Sequence, residues 1–217
     1  MRNLIIAIGR QFGSGGKEIG TKLAEKLNIK CYDSELLTIA AKESGYSEDI
    51  LQQNDEKPTN SLLYSIVMDT YSLSGYKSAP FVDMPLNHKI FLAQFDTIKN
   101  LAAKESCVIV GRCADYALED NPDCFSVYIH ADIKFRMARI KAESEEGKFK
   151  DDNKIIDFIN KTDKKRANYY NYYSSKKWGE CQSYDLSVDS SVLGIDKSVD
   201  FILDYIKLRY PEYPIPE

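Results

Sequence analysis

The stretch Asn3-Leu4-Ile5-Ile6-Ala7-Ile8-Gly9-Arg10-Gln11-Phe12-Gly13-Ser14-Gly15-Gly16-Lys17 decides how this chain folds. Residues 3–8 form an apolar run of strand length, and over 17–27 the spacing of Ile19, Leu23 and Leu27 puts apolar side chains on one helix face. Between strand and helix lies the turn Gly13-Ser14-Gly15-Gly16. Glycine permits positive φ and close backbone approach, so successive N–H groups can turn toward an anion, and the helix N-terminus adds a partial positive charge. Lys17 then reaches the β and γ phosphates of a nucleoside triphosphate as a point charge. Strand-to-helix turns rich in glycine also occur in proteins that bind nothing; the glycine density together with the lysine weighs against that reading. The pattern G-x-x-x-x-G-K-[ST] is matched incompletely, because Gln11 stands at its first glycine and Glu18 at the hydroxyl that normally ligates Mg2+. Gly13, Gly15 and Gly20 do not give the G-x-G-x-x-G spacing of a dinucleotide fingerprint.

Working outward, residues 30–33 suit a second strand, and Ser34 is a candidate N-cap for a helix over 35–44. Between Gly45 and Asn87 the periodic signals weaken among Pro58, Gly75, Pro80 and Pro85, which predicts an inserted helical lobe over about 45–88. A helix over 89–104 carries the stripe Ile90, Phe91, Phe95, Ile98 and Leu101. Short continuous apolar runs at 107–110 and 125–129 predict strands buried on both faces. Helices follow at 132–144 and 153–173, then a strand at 184–188 and a helix at 195–208; the tail 209–217, with three prolines, reads as extended. This alternation predicts an α/β fold, a parallel sheet flanked by helices with its ligand site beyond the carboxyl ends of the strands. One domain is expected, with a core of about 1–44, 89–140 and 175–208.

Composition fits a single core-forming domain: 217 residues, 43% hydrophobic. With 29 basic and 33 acidic residues the net charge is -4, which predicts a small-molecule partner and no nucleic-acid footprint. No stretch is apolar enough to span a membrane, and the opening run is too short for a signal peptide. The five cysteines, Cys31, Cys107, Cys113, Cys124 and Cys181, lack metal spacing and read as reduced thiols of a cytoplasmic protein. Neither they nor His88 and His130 suggest a protein metal site, and oligomeric state leaves no trace in the sequence.

Arginine is scarce, at seven residues, and its placement is informative. Arg10 flanks the loop, Arg112 follows the strand at 107–110, and Arg136 and Arg139 share a helix face just after the next strand. Phosphoryl transfer needs its reactants held in line and the charge on the migrating group neutralised, which guanidinium forks do well. Asp163 and Arg166 lie three residues apart in a charged helical run preceded by a polar stretch, which predicts a lid over about 141–170 that brings Arg166 to the phosphoryl group; a solvated helix face is the competing reading. Tyr169, Tyr170, Tyr172 and Tyr173 at helical spacing read first as packing and second as a base-stacking platform.

In this order the motifs resemble those of the cytidylate kinase-like family, over most of the chain. The run Phe12 to Lys17 is similar to that family's phosphate loop, Asp33-Ser34 to the Asp-Ser that opens its acceptor site, Gly111-Arg112 to its Gly-Arg pair, and Asp163 with Arg166 to its lid Asp-x-x-Arg. The resemblance implies a P-loop kinase fold with a five-stranded parallel core, an acceptor lobe and a lid, using ATP and Mg2+. Together with the position of Glu18 and the placement of the arginines, it gives an expected binding set of Gly13, Ser14, Gly15, Gly16, Lys17, Glu18, Arg136 and Arg139 for ATP, and of Asp33, Ser34, Arg112 and Asp115 for the acceptor, with Lys17, Arg112, Asp163 and Arg166 catalytic. Two departures fall on the acceptor side: Ile39 stands where an acceptor-binding arginine is expected, and Cys113 where an aspartate follows Gly-Arg. The expected activity is transfer of the ATP γ-phosphoryl group to a pyrimidine nucleotide. A small-metabolite kinase of the same fold and a non-catalytic nucleotide-binding regulator are the alternatives.

Overall fold

The computed structural model describes residues 3–57, 85–144 and 151–213. Its centre is strand β1 (Ile5–Arg10), whose isoleucines are almost completely buried. Helix α1 (Gly16–Leu27) returns along the sheet to β2 (Lys30–Tyr32), followed by α2 (Glu35–Ser44) and the short α3 (Glu48–Gln53). After the undescribed segment come α4 (Leu86–Lys104), β3 (Cys107–Val110), a one-turn α5 (Ala114–Ala117) and β4 (Cys124–His130). The chain continues through α6 (Ile133–Glu143), α7 (Asp152–Tyr173), β5 (Leu186–Asp189) and α8 (Ser190–Arg209). The five strands form one parallel sheet in the order β2-β3-β1-β4-β5.

Strand alternation sorts the core into two layers. Ile6, Ile8, Val108, Val110, Val127 and Ile129 face α1 and α8, where Ile19, Leu23, Ile202 and Ile206 meet them. Ile5, Ala7, Cys107 and Ile109 face the other way, onto Ile98, Leu101 and Ala114. Each fully buried aliphatic side chain contributes about 1.5–3 kcal/mol relative to exposure, which is why uninterrupted apolar runs mark these strands. Gly20 lets α1 lie close to the sheet, since a Cβ there would come within 3.0 Å of Ile8.

Several boundaries differ from expectation. The apolar run of β1 stops at Ile8, yet pairing of Gly9 with Tyr128 and of Arg10 with Ile129 carries the strand to Arg10. Helix α8 begins at Ser190, five residues early, because Asp189 accepts the N–H of Ser191 as a cap and Gly194, at φ 72°, kinks the chain between the cap and the regular helix. Ser34 holds the N-cap position of α2 but makes no capping bond; its backbone is already helical at φ −64°, ψ −30°. The described part of the tail turns at Tyr210, whose carbonyl accepts from Tyr213, and is not extended there. Residues 58–84 of the expected lobe and 145–150 of the expected lid lie outside the described residues. The tyrosines of α7 pack: Tyr169, Tyr170 and Tyr173 join Phe91, Tyr128 and Tyr184 in one aromatic cluster.

Candidate functional site

The loop between β1 and α1 is built from its own backbone. Gln11 donates its N–H to the Ile129 carbonyl and its side chain accepts from Ala131, tying the loop to the end of β4. Ser14 is fully buried and its hydroxyl donates to the Gln11 carbonyl, while Ser190 donates to the Ser14 carbonyl from the start of α8. The Ser14 side chain is therefore scaffold, leaving only its backbone to a ligand. Gly13 and Gly15 have φ of 78° and 80°, and a Cβ on Gly13 would approach the Arg136 carbonyl oxygen to 3.0 Å. Side chains are excluded here by backbone angle and by space. The N-terminus of α1 has no side-chain cap, and the first N–H groups of a helix have no acceptor within it. They open onto a cleft of about 440 Å³ lined by Gln11, Gly13, Lys17, Glu18, Arg139 and Arg166 among others, in the size range of small-molecule sites.

The cations around this cleft differ in how firmly they are held. Lys17 is 67% exposed at its side chain, with its ammonium 2.9 Å from an Asp33 carboxylate oxygen; that hydrogen bond raises its pKa. Burial pushes the Asp33 carboxyl upward, but Lys17 and Arg112 outweigh it and hold the group below the usual range. Arg139 pairs with Glu18 at 2.8 Å and with Glu143 at 2.6 Å. Arg136 is buried beneath the loop, 2.5 Å from Asp163 and 3.4 Å from the Phe12 carbonyl. Asp163 also accepts the Phe12 N–H at 2.7 Å, so it fastens α7 and α6 to the loop. Arg166, one turn on, donates to the Arg10 carbonyl and lies over the Phe12 ring.

The opposite wall is a network of guanidinium and carboxylate groups. Arg112 follows Gly111 in a turn where three consecutive residues are left-handed, at φ 80°, 53° and 55° through Cys113. Non-glycine residues held there cost on the order of 1–3 kcal/mol each, and the turn delivers a buried guanidinium. Its Nε and Nη2 donate to the two Asp55 carboxylate oxygens at 3.1 and 3.0 Å, and Nη1 donates to the carbonyls of Asp33 at 2.7 Å and Val110 at 3.4 Å. Glu56 lies between Arg10, at 2.9 Å, and Arg166, at 3.4 Å. Burial opposes its charge, yet Arg10, Arg166 and Arg112 hold its carboxyl down to about 2. Asp115, expected to face an acceptor, is buried under this wall, accepting from the Tyr170 hydroxyl at 2.6 Å, with Lys176 at 3.7 Å. Burial raises its pKa.

Asp55 and Glu56 escape sequence reasoning. They sit in a segment without periodic signal, and their only mark is an acidic pair shortly before Pro58. Of the expected residues, the structure gathers Gly13, Gly15, Gly16, Lys17, Glu18, Asp33, Arg139 and Arg166 around one cleft. It keeps Arg136 and Asp163 underneath as a clamp. Among the described residues no group of three metal-ligating carboxylate, thiol or imidazole side chains occurs, and no helix is long and apolar enough to cross a membrane.

A parallel sheet in this order, with a glycine loop and lysine between its central strand and the first helix, is the fold of the P-loop kinases. Residues 5–192 match the model of the cytidylate kinase-like family, and the chain belongs to that family. The crystal structure of an uncharacterized protein from Eubacterium ventriosum is 32% identical, with a TM-score of 0.69, covering 94% of this chain and 99% of its own. Shikimate kinase from Bacteroides thetaiotaomicron, at 16% identity and a TM-score of 0.52, covers 94% of this chain and 98% of its own. TT1252 from Thermus thermophilus, at 12% identity and 0.51, covers 96% and 98%. These last two likenesses are of fold. Comparison with curated protein sequences finds no match.

Proposed function

We propose that this protein is an ATP-dependent phosphotransferase that binds the triphosphate in the loop 11–17 and transfers its γ-phosphoryl group to a small acceptor held on the Arg112 side. The observation that carries the reading is the uncapped N-terminus of α1, reached through Gly13 and Gly15, with the exposed Lys17 ammonium at its first turn. Such a terminus attracts phosphate oxygens through its N–H groups and its dipole. Gly13 to Lys17 are assigned to the triphosphate, with Arg139 beside them. Arg166 is assigned to the migrating group, and Arg136 with Asp163 to holding the loop. Asp33, Ser34, Arg112 and Asp115 are assigned to the acceptor side, Asp33 on the cleft itself, Ser34 next to it in the chain, and Arg112 and Asp115 as buried supports. Residues 45–88 are proposed as the acceptor lobe and 141–170 as the lid of one kinase domain.

In the transfer the bond from Pγ to the β,γ-bridging oxygen breaks and an acceptor oxygen bonds to Pγ. ADP leaves, and the acceptor proton passes to solvent. Mg2+ is proposed to enter as the ATP complex. Glu18 does not fit as its protein ligand in this arrangement, because Arg139 lies 2.8 Å and Lys22 3.5 Å from its carboxylate oxygens.

The family resemblance supports a pyrimidine nucleoside monophosphate as acceptor. A second reading, a metabolite without phosphate, is favoured by the pairing of Arg10, Arg112 and Arg166 with internal carboxylates. ADP formation from ATP and Mg2+ should be measured with CMP, dCMP and UMP, with phosphate-free alcohols, and without acceptor, for the wild type and Lys17→Ala. Acceptor-dependent ADP that disappears in the variant is the expected result. ATP that binds the variant as well as the wild type overturns the loop assignment.

A further inference from the structure

The acceptor wall contains an anion site that the chain fills by itself. Arg10, Arg112 and Arg166 converge on one spot, each with a side chain at most 15% exposed. Three buried guanidinium groups this close repel one another, and burial together with Arg10 holds the Arg166 pKa below its usual value. Such a cluster persists only around negative charge. Here that charge is Asp55, which takes the fork of Arg112, and Glu56, which bridges Arg10 and Arg166. Asp33, shared between Lys17 at 2.9 Å and Arg112 at 3.5 Å, adds to them, so that internal carboxylates already offset most of the charge that would attract a dianion to the three guanidiniums.

Geometry agrees with charge. Four N–H bonds of Arg112 are already directed at protein oxygens. Glu56 is held at φ 50°, a backbone angle a glutamate rarely adopts, and Lys165 fastens the same turn through the Asp55 carbonyl at 2.9 Å. The cavity left beside Arg10, Glu56, Arg112 and Arg166 is about 20 Å³, room for one water molecule and not for a phosphate group.

We infer that Asp55 and Glu56 substitute internally for an acceptor phosphate and determine acceptor specificity, so that the acceptor is a small hydroxyl compound carrying no phosphate. This rests on the phosphotransferase reading. A phosphomonoester reaches these arginines only by displacing both carboxylates, whereas an uncharged or cationic alcohol presents its hydroxyl to the cleft and leaves the network intact.

Titration calorimetry with inorganic phosphate and with CMP, on the full chain as wild type, Glu56→Gln and Asp55→Asn, tests the inference. Both ligands are expected to bind wild type weakly, with at least a tenfold gain in Glu56→Gln and a smaller gain in Asp55→Asn. No gain in either variant overturns the inference. If Glu56→Gln does not fold, Asp55→Asn decides; if neither folds, wild-type kinetics decide, and turnover of CMP preferred over phosphate-free alcohols overturns it. ATP titrated into wild type and Lys17→Ala in the same series separates the two ideas. Loss of the loop assignment appears there, while the gain of Glu56→Gln and Asp55→Asn over wild type, in which the loop is unchanged, reports on the arginine site.

Discussion

On the loop side of the cleft the donors face outward: the first N–H groups of α1 are uncapped and Lys17 is two-thirds exposed. On the side proposed for the acceptor, Arg10, Arg112 and Arg166 are largely buried, each already bonded to the chain. Both walls are cationic by residue type, but the loop wall presents uncapped N–H groups, whereas the arginines of the other, including Arg10 and Arg166 where they line the cleft, are already paired with carboxylates. Counting arginines near a phosphate loop therefore overstates its capacity for anions; what matters is which guanidinium protons still lack an acceptor.

The largest effect that sharpens this contrast is expected at Lys17. Lys17→Ala should weaken ATP binding on the order of 100-fold, about 2.7 kcal/mol, with little change in melting temperature, because the ammonium is mostly exposed. Calorimetry against ATP measures the first and thermal unfolding the second. A variant that unfolds early without losing ATP would reverse the assignment of the two walls.

Next comes the pH response of the acceptor wall. A carboxyl depressed from 4.5 to about 2 stabilises the fold above its unfolded value and loses that contribution as pH falls toward its folded value. Between pH 4.5 and 2 the wild type should lose about 3 kcal/mol that Glu56→Gln never had. Parallel urea-denaturation curves for the two proteins across that range would show Glu56 unpaired in solution.

Asp163→Ala probes the clamp that joins the walls. It removes the acceptor of the Phe12 N–H and the partner of buried Arg136. The expected loss of stability is about 3 kcal/mol, accompanied by weaker ATP binding as the loop loosens; full stability with normal ATP affinity would exclude the clamp. Ser34→Ala should do least. A working cap is worth about 1 kcal/mol, and Ser34 makes no capping bond, so chemical denaturation should detect under about 0.5 kcal/mol.

Much of this architecture is legible in the sequence. The strands at 107–110 and around 125–129, the helix 35–44 and the long helix ending at Tyr173 are marked by apolar periodicity, a local property of the chain. Elements fixed by a partner are less so: β1 gains Gly9 and Arg10 from pairing with β4, and the start of α8 is hidden by Gly194. On the site, the loop is legible because glycine and lysine carry their roles in their own chemistry. Arg112 is recognisable as a buried-strand arginine, whereas its partner Asp55, 57 positions away, is not.

The sequence by itself determined the parallel α/β core, the glycine-rich loop and its lysine, since burial periodicity and backbone permissiveness depend on residues a few positions apart. Only the tertiary structure decided which charges are available. That Asp163 clamps Phe12, that Asp115 lies beneath the cleft and that Asp55 and Glu56 neutralise the arginines are facts about groups brought together across tens to more than a hundred residues. Electrostatic pairing depends on distance in space and on burial, and neither is written in residue spacing.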